Sequence, residues 1–266
     1  MTGLTLDRSE FLVLMDAVKA PAVVGLPTAS LVPSDKEQHK ALVLEGLEKL
    51  KQRGLLRVEG DVNVLDARLL AMGLAVGRPD VAAITRKDTP GLGSQLFLHY
   101  LSGPMIVEQT LPNEGEHRLA VVADMPTLIE RLLAILPVQD TRALPDEHGT
   151  MTVDAFVTFK QEAESGDQAS ARAAAESSGL NAEGAASLVA TLAQPVFGGT
   201  IALLKLVDGE AEDARNLALA QGSDAAWLVK QTTPGAETFD ITTTDSLAVR
   251  KLLVQWFAEL SVSAAA

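Results

Sequence analysis

Residues Leu50–Asp66 read LKQRGLLRVEGDVNVLD. Upstream, Val43, Leu47 and Leu50 stand at i, i+4 and i+7, the spacing of one helical face, and Gly54 follows as a stop. Glu59-Gly60-Asp61 then reads as a tight turn between two short strands, and a further helix is expected from about Leu65 to Val76. Helix, small hairpin and helix together draw the outline of a winged helix, which points to DNA. Lys49, Lys51, Arg53 and Arg57 stand near the turn, as that reading needs. Glu45, Glu48, Glu59, Asp61 and Asp66 surround them, however, and such a field holds a phosphate backbone poorly.

Charge over the whole chain points the same way. Among 266 residues the net charge is −13. Lys and Arg number 14 against 18 Asp and Glu over residues 1–140, and 8 against 17 over 141–266. Neither half offers the basic footprint that nucleic acid requires. The lack of cysteine removes disulfides, iron–sulfur clusters and thiol catalysis. The start, MTGLTLDRSEF, has no basic segment ahead of an apolar run, and no apolar stretch approaches the roughly 18 residues of a spanning helix. The expectation is a soluble cytoplasmic protein without membrane insertion.

Working outward from the opening segment, Asp7 with Glu10 forms a capping box for a helix carrying Phe11, Leu14, Met15 and Val18 on one face. Ser34 with Glu37 repeats the pattern ahead of the next helix. Beyond Pro79 the apolar period changes from helical to two. Strands are expected at 81–86, 96–101, 105–110 and 117–123, with breaks at 88–94, 102–104 and 113–116. Asp124 caps a helix with Leu128, Leu132, Leu133 and Leu136. Connections this short favour an antiparallel meander followed by a helix.

The second half repeats the order. VEQTLP at 107–112 faces VKQTTP at 229–234, with identity at four of six positions. Strands expected at 200–207, 215–221, 226–232 and 237–243 mirror the first four, and SLAVRKLLVQWFAEL at 246–260 mirrors TLIERLLAIL at 127–136. Helices are expected at 8–19, 35–53, 65–76, 125–136, 182–193 and 246–260. The fold class is α/β in the broad sense, more closely α+β. It consists of two quasi-symmetric lobes of helices, antiparallel meander and helix, related by internal duplication. The lobes span 1–137 and 151–266, with 138–150 as linker.

These pieces resemble a known family. LTLDRSEFLVLMDAV, a proline-containing loop, GLEKLKQRGLL with its acidic hairpin, a helix ending near GRPD, a meander and LIERLLAILP are similar to the EspG-like, ESX type VII secretion-associated proteins. The likeness runs from about Thr5 to Pro137 and continues over the second half in the order of elements. It implies an α/β fold of two quasi-symmetric lobes and a non-enzymatic role. Members act as cytosolic chaperones that bind the tip of a helical secretion substrate before export.

Residues that carry catalysis do not assemble in the sequence. PGLGSQ at 90–95 has Gly-x-Gly but no Lys-Ser/Thr, and it falls between strands. His39, His99, His117 and His148 lack ligand spacing. His99 alternates within a strand and reads as a half-buried or surface imidazole, while His148 in the linker reads as solvated. Glu114 and Glu116 read as turn residues. The expectation is no enzyme, no cofactor and no metal.

For protein binding the candidates are Phe97 and Tyr100 on alternate positions of one strand, Trp227 on another, and Ala174, Ala186 and Leu188. These last three lie in the Ala-rich segment 167–193, whose small side chains permit close helix approach. Each aromatic has a second reading as core. The candidate surfaces are the open face of the sheet, the loop 88–94 and the Ala-rich segment, and the expected partner is a helical protein client. The alternative is a winged-helix-like regulator that binds DNA weakly or through a partner.

Overall fold

Helix gives way to strand where the apolar period changes from 3.6 to two. The structure, a computed structural model, describes residues 3–139, 146–233 and 235–262. The first half runs β1 (Leu4–Asp7), α1 (Arg8–Ala17), α2 (Thr28–Leu31), α3 (Lys36–Gln52), β2 (Leu56–Glu59), β3 (Val62–Leu65), α4 (Ala67–Gly77), β4 (Val81–Thr89), β5 (Gly93–Ser102), β6 (Met105–Thr110), β7 (Glu116–Val122) and α5 (Met125–Ile135). The second runs β8 (His148–Thr152), α6 (Val153–Ser165), α7 (Gln168–Ser177), α8 (Ala182–Ala193), β9 (Phe197–Val207), β10 (Glu210–Gln221), β11 (Ala226–Gln231), β12 (Thr238–Thr243) and α9 (Ser246–Val262). The fold is α+β with antiparallel meanders. Strands lie in the order β1-β7-β6-β5-β4 in the first half and β9-β10-β11-β12-β8 in the second. In each half the strand ahead of the helices pairs with the last strand of its meander. Leu6 faces His117, and Thr150 faces Asp240.

The chain forms two compact units. One holds residues 1–84, 96–128 and 204–212, the other 85–95, 129–203 and 213–266. The lobes drawn from sequence at 1–137 and 151–266 are contiguous; these units are not, because hairpins β4–β5 and β9–β10 are long and each divides along its length. Leu206 thus joins the first core, together with Phe11, Leu14, Leu50, Leu69, Met72, Tyr100 and Val107. The second core gathers Phe159, Ala163, Ala171, Ala175, Leu188, Trp227 and Ile241. Its helices α6, α7 and α8 meet through alanines, which let their backbones approach.

The opening segment forms as its residues dictate. Gly54 and Gly60 both take positive φ, 69° and 62°, the first ending α3 and the second turning β2 into β3. Asp66 then caps α4 by accepting from the Arg68 and Leu69 amides. The sheet edges are covered within each unit. The Arg53 guanidinium donates to the Thr5 carbonyl of β1 at 2.9 Å, and the Thr150 amide of β8 donates to the Ser178 carbonyl at 2.9 Å.

Sequence reasoning missed β1, α2, β8 and α6. The first and third are short edge strands that exist only through pairing with β7 and β12, a long-range cause that local pattern does not carry. Helix α6 did leave signals: Thr152 caps it, Phe156, Phe159 and Ala163 share a face, and Gly166 ends it at φ 88°. Part of the linker expected at 138–150, residues 140–145, lies outside the described residues, and 148–150 belong to β8. No helix among the described residues is long and apolar enough to cross a membrane.

Helix α1 crosses α3 at Gly46, where a Cβ would stand 2.2 Å from the Ser9 carbonyl oxygen, a backbone atom without freedom to yield. Gly46→Ala is therefore expected to destabilise the protein by about 2 kcal/mol, the scale of overpacking, despite alanine's better helix propensity. Urea unfolding followed by circular dichroism measures this; a variant as stable as the parent refutes the contact.

Candidate functional site

Strands β9 and β10 load their two faces unequally. On β10, Leu217 and Leu219 are buried on one face while Ala218 and Ala220 occupy the other. On β9, Phe197 and Gly199 share a face, and Gly198 and Thr200 share the opposite one. On the face of Phe197 the chain passes close by: a Cβ at Gly199 would stand 2.3 Å from Leu136, the residue after α5. Helix α9 buries Val249, Leu253, Trp256 and Phe257, and its Arg250 forms a two-armed ion pair with Glu130 of α5. The opposite face is nearly flat.

A groove of about 620 Å³ opens over that flat face, wholly within the second unit. Gly198, Thr200, Ala218, Ala220 and Val229 floor it. Phe156, Lys160 and Glu164 of α6, with Leu192 of α8 and Pro195 beyond it, form one wall, and residues of the β4–β5 hairpin, from Arg86 to Ser94, form another. Phe156 is held edge-on against Phe239, with ring centroids 5.4 Å apart. The charged groups neutralise one another, since Arg86 pairs with Asp88 at 3.0 Å and Lys160 with Glu164 at 3.6 Å. At the β4–β5 turn Leu92 is 81% exposed, held up between Gly91 and Gly93 at φ 77° and 80°. The groove thus offers apolar surface and self-paired charge, the chemistry of contact. No group of three or more His, Cys, Asp or Glu suited to a metal occurs among the described residues.

The residues singled out from sequence divide sharply. Tyr100, Trp227 and Leu188 are fully buried and present nothing to a partner. Tyr100 donates to the Val24 carbonyl at 2.8 Å and also lies 3.1 Å from the Gln109 carboxamide, while Trp227 Nε1 donates to Ser187 Oγ at 3.4 Å. These three are core side chains, and the polar ends of Tyr100 and Trp227 are satisfied inside. Phe97, Ala174 and Ala186 are half-buried, and none of the six lines the groove. The loop 88–94 does line it, as does the end of the Ala-rich segment at Leu192. What sequence reasoning lacked was the alternation in NLALA at 216–220, which marks one face of β10 as small.

His99, expected at or near the surface, is fully buried, with Nε2 3.2 Å from Glu108 across the β5–β6 pair. His148 is exposed and lies 3.5 Å from Asp240. Of the basic residues near the winged turn, Lys49 reaches Asp7 at 2.6 Å and also Glu45, and Arg53 places Nη1 2.7 Å from both Glu10 oxygens. Both cations serve the N-terminus of α1.

No family model and no curated protein matches the sequence. Among solved structures, the Mycobacterium tuberculosis type VII secretion system chaperone EspG5, in complex with a PE25–PPE41 dimer, is similar with a TM-score of 0.71 at 15% identity. The match covers 95% of this chain and 94% of that one. The chain has an EspG-like fold.

The α1 network sets a pH dependence. Burial alone raises the Asp7 carboxyl, but hydrogen bonds from Lys49, Ser9 and the Glu10 amide outweigh it and hold its pKa at about 2. The same bonds to Asp7 and Glu45 raise the Lys49 ammonium. His117 stacks on Phe11 with centroids 4.0 Å apart and sits 2.8 Å from the Gln109 amide; burial lowers its pKa to about 4, against a small opposing pull from Asp7. Between pH 6.5 and 4 the unfolded chain takes up a proton at His117 that the folded chain refuses, so stability falls as pH falls through that window, by roughly 3 kcal/mol. The Asp7 contribution is lost lower, from pH 3.8 towards 2. Urea midpoints at pH 7, 5.5 and 4.5 are expected to decline for the parent and to decline less for His117→Phe; parallel curves refute the assignment.

Proposed function

We propose that this protein is a non-enzymatic chaperone or adaptor that binds a helical secretion client in the cytoplasm and keeps it soluble before export. The observation that carries the proposal is the groove over the small-residue face of β9 and β10, apolar in its floor and with its rim charges paired internally. Such a surface suits the apolar face of a helix, which brings no charge to be matched. The fold supports the same reading, because a protein of the same architecture is a type VII secretion chaperone seen in complex with a protein dimer. The family resemblance adds the client class, the tip of a helical export substrate. Leu92, exposed on the β4–β5 turn whose neighbouring residues wall the groove, is suited to anchor such a helix from the side.

The regulator reading draws less support. Its hairpin exists, but Lys49 and Arg53 bridge to Asp7 and Glu10, and Arg57 lies 3.9 Å from Glu59. A phosphate backbone would have to break pairs that cap α1.

Tagged protein expressed in its native cytoplasm and recovered under mild conditions is expected to bring down one helical protein, or a helical dimer, in stoichiometric amount. Ala220→Glu places an unpaired carboxylate on the groove floor and is expected to weaken that complex by about a hundredfold, while changing the melting temperature little. Retention that is insensitive to added salt is expected for the parent, as apolar contact requires. Recovery of nucleic acid alone, or a complex indifferent to Ala220→Glu and Leu92→Asp alike, refutes the proposal.

A further inference from the structure

Three buried polar side chains of the first unit stand in a row that ends on a loop. Tyr100 and Gln109 are fully buried and His117 nearly so, which leaves their hydrogen bonds to be met by one another and by the backbone. The Tyr100 hydroxyl lies 2.8 Å from the Val24 carbonyl oxygen and 3.1 Å from one arm of the Gln109 carboxamide. The other arm stands 2.8 Å from His117 Nδ1. Phe11 of α1, stacked on the imidazole at an interplanar angle of 8°, fixes the plane of that ring. Val24 belongs to the loop between α1 and α2, which is closely seated on the sheet. Its neighbour Gly25 takes φ 85°, and a Cβ there would meet Leu98 of β5 at 2.6 Å. Among the described residues the Val24 carbonyl has Tyr100 as its donor and no other.

Counting protons gives the row a direction. A tyrosine hydroxyl carries one proton, and a carbonyl oxygen carries none. With the carboxamide oxygen towards Tyr100, that one proton faces two acceptors, and either Val24 or Gln109 goes without. With the amide turned by half a revolution, every contact has its proton. His117 Nδ1–H donates to the Gln109 oxygen, the Gln109 NH2 donates to Tyr100, and Tyr100 donates to Val24. This arrangement requires that neutral His117 carry its proton on Nδ1. We infer that Tyr100, Gln109 and His117 form a directional relay that latches the loop after α1 to the sheet, with the tautomer of His117 setting the latch. When the proton sits on Nε2 instead, Nδ1 accepts, Gln109 turns, and Tyr100 is drawn from Val24 to the Gln109 oxygen. The position of one proton beside the first turns of α1 thus controls the loop that follows the helix.

Protein labelled with nitrogen-15 at histidine reads the tautomer at pH 7, because protonated and bare ring nitrogens resonate far apart. His117→Phe identifies the His117 signals among the four histidines. Nδ1 is expected to be the protonated nitrogen and Nε2 the bare one; the reverse overturns the relay, and this measurement needs no variant to fold. Tyr100→Phe keeps the ring, removes the hydroxyl and tests transmission along the row. It is expected to shift His117 towards the form protonated on Nε2, a change that a merely space-filling tyrosine would not cause. It is also expected to speed hydrogen exchange at the Leu26 amide, which donates to the Val23 carbonyl at 3.1 Å, about tenfold, the scale of one lost hydrogen bond. The amide of Val107 in β6 reports any general loss of stability. An unchanged tautomer in Tyr100→Phe, or a Leu26 rate that rises no more than that of Val107, overturns the latch.

Discussion

A β-strand presents alternate residues to opposite sides, and in this protein that constraint couples the core to the site. Strands β9 and β10 place Phe197, Leu217 and Leu219 on one face, where Gly199 stands against Leu136. Every large side chain committed there leaves its neighbour free to be small. The face towards α6 and α8 thus carries glycine and alanine at its centre, and the helices above it meet the strands only further along, where Trp227 and Ile241 fill the layer. The groove lies where the sheet's second face goes without a filling side chain. Burial on one side and openness on the other follow from the same period-two pattern.

Charge has a comparable division of labour. The chain is acidic throughout, yet its buried or half-buried acids near α1 are matched residue by residue. Asp7 caps the helix and holds Lys49, Glu10 closes the capping box and holds Arg53, and Arg53 also covers the exposed edge of β1 through the Thr5 carbonyl. A pair with one member buried, as with Glu10 and Arg53, is costly to break, because it strands an acid away from water. In the winged outline, Lys49 and Arg53 are thus paired with acids of the α1 N-terminus. The cations that phosphate would attract are already engaged in joining α1 to α3.

Distribution matters more than net charge for the proposed role. An acidic surface favours solubility and discourages association with nucleic acid. The groove itself is neutral by pairing, so it neither repels an acidic client nor demands a basic one. That arrangement suits a protein whose partner must be held and released, because apolar contact of limited area gives affinity without an extensive network of hydrogen bonds to dismantle.

Sequence alone determined the elements whose signals are local. Capping at Asp7 and Asp124, the stop at Gly54, the turn at Gly60 and the change of period beyond Pro79 sufficed for most helices and for all eight meander strands, because each depends on neighbours a few residues away. The resemblance to the EspG-like family added the architecture. Tertiary structure alone decided the rest. Strands β1 and β8 exist through partners about a hundred residues distant in sequence, as Leu6 with His117 and Met151 with Phe239 show. The fate of Tyr100, Trp227 and His99 turned on what packs above each face, and period two fixes only that successive residues part, not which side meets water. The difference between Gly198 and Gly199 is the sharpest case. Both are glycines in one strand, and only the position of Leu136 and the Arg86 backbone reveals that one fills a packing requirement while the other leaves a space.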